Sequence, residues 1–276
     1  MKKYINSIMF AIVGLAVLTA CTEKNGTEPG NDSNPVVTVY QYEAALPLNP
    51  DNDAFIRVAA NSAVQQAYYL AEKTSEKEAR NMTKEAYADY VVSNGQAISG
   101  LTANTPYDLI IKDLMGDYSI TVVGVNGSTK YSAETAFKGL DWRDVVSGTY
   151  VFSSNAANRF KVESAPTTLQ YCANVNNLYR LKDVFGTGYS LKFTGTGKKG
   201  TDDDGNFEVV RVAAQPTSFT YGNYGAVNVR DVATWQNSDN FLDNKMYESG
   251  FCYFWVQYFV SAGNLGYGYD EFYPAE

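Results

Sequence analysis

The chain has no histidine. Serine–histidine and cysteine–histidine nucleophile pairs, histidine-ligated zinc and an imidazole base that titrates near neutrality are therefore all excluded. Cysteine is nearly absent as well, with three residues at Cys21, Cys172 and Cys252. Positive charge is scarce: 22 Lys and Arg stand against 30 Asp and Glu, a formal net charge of −8. Such a balance gives no general attraction for nucleic acid or anionic lipid headgroups. Long apolar runs are missing too. The longest, Ile8 to Leu18, has 11 residues, where a membrane-spanning helix needs about 20. No P-loop motif occurs. What the chain does have is aromatic side chains, 22 Tyr, 14 Phe and 3 Trp, and apolar residues enough to bury a core.

The short apolar run follows Lys2 and Lys3 and ends at Leu18-Thr19-Ala20-Cys21, the layout of a secretory signal with a small-residue cleavage site. The last four residues resemble the lipobox of bacterial lipoproteins. That resemblance implies cleavage before Cys21, acylation of its sulfur (palmitate is the usual label) and a protein tethered to a membrane without crossing it. Two or more acyl chains suffice for stable anchoring. Loss of residues 1–20 removes Lys2 and Lys3 and leaves 256 residues with a net charge of about −10. Residues 21–35 then form a Gly/Asn/Pro-rich tether. Cys172 and Cys252 remain in a compartment that permits disulfides, either paired with each other or as buried free thiols.

From 36 to 139 the sequence reads as one domain. Val36–Tyr40, Phe55–Val58, Ala67–Leu70, Gln96–Ile98, Tyr107–Ile111, Tyr118–Val125 and Ser132–Phe137 have strand patterning, with an edge strand first and turns at Gly116-Asp117 and Asn126-Gly127. Ser75–Val92 is rich in Glu, Lys and Ala and predicts one or two short helices, with Thr83 and Glu85 near a start. The segment "SGLTANTPYDLII" resembles a fibronectin type III or related immunoglobulin-like sandwich, which implies that Tyr107 is a packing residue.

Residues 140–276 read as a second, aromatic-rich all-β domain. Strand candidates are Gly148–Phe152, Leu169–Cys172, Leu178–Lys182, Tyr189–Phe193, Phe207–Val212, Ser218–Tyr221, Ala226–Val229 and, longest, Phe251–Val260. Short strands at near-regular spacing predict a sandwich or barrel. The segments "NLYRLKD", "AAQPTSFTYGNYGAVNVRD" and "YFVSAGNLGYGYDEF" resemble poorly characterised outer-membrane lipoproteins of Bacteroidota encoded near glycan-uptake systems. The likeness implies a setting rather than a reaction.

Among polar residues, Asp141, Asp144, Asp231, Asp270 and Glu271 are carboxylates close to aromatics, and ordinary surface charge accounts for each. Asp202, Asp204 and Asn206 have the look of a calcium loop, but an Asp-Gly hairpin tip explains them better. The Phe251–Val260 strand has a core face at even positions and a second apolar face at odd positions. That second face either packs or forms a ligand platform. Tyr221, Tyr224, Trp235, Tyr267 and Tyr269 read as loop aromatics and, with Trp255, are the candidate ligand-binding residues, because rings outside a core stack on the apolar faces of sugars.

The expectation is an all-β chain of two tandem sandwich or barrel-like domains, the first with a short helical insert. The function expected is a lipid-anchored, non-catalytic outer-membrane protein that binds a polysaccharide or an envelope protein beside a nutrient-uptake system, or else a fimbrial-type structural subunit. Its partners would then be the membrane, through the lipid, and the polysaccharide or protein it captures. No cofactor and no nucleic acid enter that picture.

Overall fold

The computed structural model describes residues 34–233 and 244–276. Cys21, the signal and nearly all of the tether lie outside them. The first strands follow the alternating segments. β1 (Val37–Tyr42), β2 (Ala54–Ala60) and β5 (Tyr107–Ile111) form a three-stranded antiparallel sheet in the order β1-β2-β5. β4 (Gln96–Ala97), β3 (Gln66–Lys73), β6 (Gly116–Asn126) and β7 (Thr129–Gly139) form a four-stranded sheet in that order. Val37, Ile56, Val58 and Leu109 of the first sheet and Ile120, Val122 and Phe137 of the second share one core. Leu101 and Tyr107 pack against it, the role the sequence assigns to Tyr107.

Between β3 and β4 run α1 (Thr74–Arg80) and α2 (Lys84–Asn94). Thr83 caps α2, its hydroxyl accepting from Ala86 N, so the helix starts where the sequence places it. Tyr87, Ala88 and Val91 seat α2 on Val123 of β6. The Tyr87 hydroxyl donates to Glu72 over 2.6 Å. The expected turn at Gly116-Asp117 is instead the start of β6, paired with Gly139 and Lys138.

The remaining strands close on themselves. β8 (Trp142–Val151), β9 (Ser164–Cys172), β10 (Leu178–Leu181), β11 (Leu191–Asp202), β12 (Gly205–Arg211), β15 (Asn244–Tyr247), β16 (Cys252–Val260) and β17 (Gly263–Pro274) pair each with the next, antiparallel throughout, and β17 pairs back to β8. The result is an eight-stranded up-and-down barrel, which removes free edges. β13 (Gln215–Thr220) and β14 (Ala226–Asp231) form a hairpin attached to β16 beyond β15. β16, expected to be the longest strand, has nine residues against twelve in β11 and β17.

A barrel of this size is filled by its own side chains. Tyr150, Leu181, Phe193, Val210, Phe254, Tyr258 and Phe272 meet inside with almost no exposure. α3 (Ser154–Phe160) follows β8, and Phe160 stacks on Phe219 of β13 at 4.6 Å between centroids. Asp270 is fully buried. It accepts hydrogen bonds from Tyr258 OH (2.5 Å), Tyr150 OH (2.8 Å) and Ser153 N (2.8 Å). Burial raises its carboxyl above the ordinary range, against the pull of those donors, and drives both tyrosine hydroxyls upward as well.

One joint links the barrel to the first sheets. Asp51, in the β1–β2 connection, accepts from Trp142 Nε1 (3.0 Å) and Arg180 Nη1 (3.1 Å) and pairs with Lys192. Neighbouring Asn52 donates to the Leu114 and Leu140 carbonyls. Burial lowers the Arg180 guanidinium pKa despite Asp51.

Candidate functional site

Residues on one face of a strand repeat every second position, and β16 shows what this does in a closed barrel. Its even positions, Cys252, Phe254, Val256, Tyr258 and Val260, point into the core as expected. The odd positions other than the fully covered Gln257 are part-exposed, where a solvated barrel wall would ordinarily be polar. Here Tyr253 and Trp255 meet Tyr267 and Tyr269 of β17. The register sets Trp255 opposite Tyr269. Tyr269 stacks on Tyr253 (centroids 4.9 Å, planes 23° apart) and on Trp255 (5.4 Å, 25°), and Tyr267 meets Trp255 edgewise (5.6 Å, 75°).

Near-parallel rings at that spacing overlap their faces. The four rings form a ridge rather than a flat platform, with Tyr269 between two neighbours and Tyr267 the most exposed member at 54%. A second aromatic row, with Tyr247 buried in it, runs from β12 and β15 through Phe251, just before β16, to β17: Phe207–Tyr247 at 5.7 Å, Tyr247–Phe251 at 5.3 Å and Phe251–Tyr273 at 5.2 Å. Polar groups border both rows. Tyr273 OH donates to Glu271. Arg230 lies 4.4 Å over the Phe259 ring and donates twice to Gln257 Oε1. Burial first, then the bond to Tyr269, raises the Tyr253 hydroxyl pKa, so it stays a neutral donor.

Of the sequence-derived candidates, the structure brings together Trp255, Tyr267 and Tyr269. The placement of Tyr267 and Tyr269 in a loop is corrected: both are in β17, whose glycines look like turn residues but serve close packing. A Cβ at Gly268 would sit 2.5 Å from Ser153 Cβ. Tyr253, which the sequence places on the odd, second apolar face of β16 but not among the candidate binders, joins them. Tyr221 and Tyr224 stack at 6.1 Å by the 3-10 turn at Gly222–Tyr224, with Arg159 donating to Tyr221 OH, apart in the chain pairing from the ridge. Trp235 lies outside the described residues.

Asp202, Asp204 and Asn206 are used by the β11–β12 hairpin. Asp202 Oδ2 accepts from Lys245 Nζ (2.6 Å) and Tyr247 OH (2.9 Å), and Asp202 Oδ1 accepts from Asp204 N. Asn206 bonds Thr201 and Glu248. Lys245 holds the Asp202 carboxyl below its ordinary range. Among the described residues no cluster of three or more metal-ligating side chains occurs.

The other carboxylates are engaged in local bonds: Asp141 with Arg143, Asp144 with Gln170, and Asp231 with Val212 N. The surface-charge reading is corrected for Asp231 and Asp270, both fully buried and held by hydrogen bonds. Cys172 and Cys252 are both buried and free, and burial raises the Cys252 thiol pKa, which makes it inert. Among the described residues no helix is long and apolar enough to cross a membrane.

No protein-family model matches the chain, and no curated protein does. Among solved structures, the chain is similar to a Kfla1895 mutant in complex with cyclobis-(1->6)-alpha-nigerosyl, at 11% identity and a TM-score of 0.23. The match covers 84% of this chain but spans only 30% of that one, and a likeness this slight carries no argument about fold or ligand.

Proposed function

We propose that the protein is a non-catalytic, lipid-anchored envelope protein that binds glycans on the outer wall of its barrel, as an accessory of a nutrient-uptake system. The observation that carries the reading is the exposed ridge Tyr253–Tyr269–Trp255–Tyr267, flanked by Glu271 and Arg230. Aromatic edges and hydroxyls on a rigid strand pair offer sugars both C–H contact and hydrogen bonds at little entropic cost. Lack of histidine and the engagement of the carboxylates in local bonds favour capture over catalysis.

In the same reading the chain has two tandem β domains meeting near Gly139, the first a fibronectin type III-like sandwich with α1 and α2 as its insert. The three-plus-four sheet order supports this, as does the absence of any strand pairing across Gly139 among the described residues. The setting is the outer membrane of a Bacteroidota-type cell, with Cys21 as the lipid attachment point. A second reading, a structural or fimbrial-type subunit, draws on β1. It is an edge strand that pairs with β2 alone and has Val37 as its one fully buried side chain.

The test is retention on insoluble polysaccharides and a glycan array. Wild type should bind, and Trp255→Ala and Tyr267→Ala should each weaken binding about tenfold, the scale of one lost aromatic contact. Unchanged binding in both variants refutes the site. Palmitate incorporation abolished by Cys21→Ala tests the anchor, and label persisting in that variant refutes it.

A further inference from the structure

A cleft of about 940 Å³ lies away from the ridge, between the β1–β2 connection and the outer side of β10 and β11. Its size is that of a small-ligand site. Its walls are chemically unlike each other. One is hydrocarbon: Leu46, Pro47 and Pro216, with the Tyr189 ring. The other carries Arg180, Lys182 and Lys192, a concentration of cations in a chain whose formal net charge is −8.

The cleft is built rather than slack. Asn49 Nδ2 donates to Asn52 Oδ1, Asn49 N donates to Asp53 Oδ2, and Asp51 N donates to Asn49 Oδ1. These bonds fold the 49–53 turn on itself. Across the cleft, Gln215 fixes the floor by accepting from Lys192 N (2.8 Å) and donating to Lys192 O (2.7 Å). Arg180 is held from three sides: its plane lies 4.4 Å over Trp142, Nε donates to Gln170, and Nη1 donates to Asp51.

Charge accounting separates the three cations. Asp51, nearly buried, is shared by Arg180 and Lys192. Asp183 Oδ1 accepts from Gly188 N, and Glu43 lies among the lining residues. Lys182 is exposed and has no hydrogen bond or ion pair from its ammonium among the described residues, while its backbone N–H is secured on Thr168 O.

We infer that this cleft takes an acidic sugar, its carboxylate on Lys182 beside Arg180 and Lys192 and its ring against Leu46, Pro47 and Tyr189. The inference rests on the glycan-binding reading and adds a second, charge-selective site to it. A carboxylate would complete the unpaired ammonium with a charge-assisted hydrogen bond, and the hydrocarbon wall suits the C–H face of a pyranose. Neutral sugars gain only the wall.

The test titrates the full chain by calorimetry with trigalacturonate and with a neutral galactose trimer, in wild type, Lys182→Gln and Trp255→Ala. Lys182 is exposed, so its variant keeps the fold. Trigalacturonate should bind wild type and Trp255→Ala alike, weaken about tenfold in Lys182→Gln, and weaken with added salt. Trigalacturonate affinity that falls in Trp255→Ala and is unchanged in Lys182→Gln overturns the cleft and leaves the ridge standing. Acidic binding that needs Lys182, with no neutral glycan retained anywhere, upholds the cleft and refutes the ridge. Absence of trigalacturonate binding overturns the cleft, while the ridge is judged by the glycan array.

Discussion

Removing one oxygen from the barrel interior tests how the fully buried Asp270 carboxylate is tolerated. Tyr258→Phe keeps the ring that packs on Phe160 and Phe185 and deletes the hydroxyl 2.5 Å from Asp270. A hydrogen bond to a charged group contributes about 1.5–3 kcal/mol. With almost no cavity created, the expected loss at neutral pH is about 2 kcal/mol, or about 4–8 °C in Tm for a chain of this size. The loss should also depend on pH. Asp270 has its folded pKa raised above the unfolded value by burial, and Tyr258 is the largest counterweight. The variant's carboxyl therefore rises further. A raised group contributes stability that is complete below its unfolded pKa and is lost as pH climbs through the folded one. The deficit of the variant should be smallest near pH 4 and grow toward about pH 7. Urea unfolding of both proteins across that range measures it. A deficit below about 0.5 kcal/mol, or one that does not change with pH, refutes the reasoning. Tyr150→Phe, and the double variant, should show coupling of at least about 0.5 kcal/mol through the shared acceptor.

Asp51→Asn leaves Arg180 and Lys192 without their shared charge. It should cost about 2 kcal/mol in urea unfolding, Lys192 being exposed enough to reduce the full buried-pair value. Gly148→Ala would place a methyl group on the Tyr273 carbonyl oxygen and 2.7 Å from the Phe272 ring. It should destabilise by about 3 kcal/mol and weaken amide protection in β8 and β17. Trp255→Ala should cost only about 1–2 kcal/mol, so circular dichroism should find it folded wherever its binding is lost. Native protein should titrate neither Cys172 nor Cys252 with a thiol reagent in minutes, and both should react once it is unfolded in denaturant.

Local chemistry made much of this architecture legible. Tyr107–Ile111 is read at its exact bounds because alternation and β-branching agree there, and Thr83 announces α2 because a hydroxyl cap has few other uses at that spacing. The core face of β16 follows from period two. Reading fails where the deciding contact is remote. β17 is taken for a loop because "GNLGYGYDEFYP" is rich in glycine, yet Gly266 and Gly268 are there to admit Asn155 and Ser153 from the segment that follows β8. β15 has four residues and no alternation of its own, so only its neighbours make it a strand. Trp255, Tyr267 and Tyr269 are singled out as aromatics, but that they form one ridge depends on the β16–β17 register, which no local pattern encodes.

The pairing of β8 with β17 has a consequence for the order of events at the ribosome. Tyr150 and Asp270, bonded to each other, are 120 positions apart, and no earlier strand can take the place of β17. Until β17 emerges, β8 offers its outer backbone to any passing strand, and long-range closures of this kind are slow. A chain cut short before Gly263 would therefore not be a smaller barrel. It would have two bare edges where the intact ring has none, a form suited to holdases and proteases rather than to ligands.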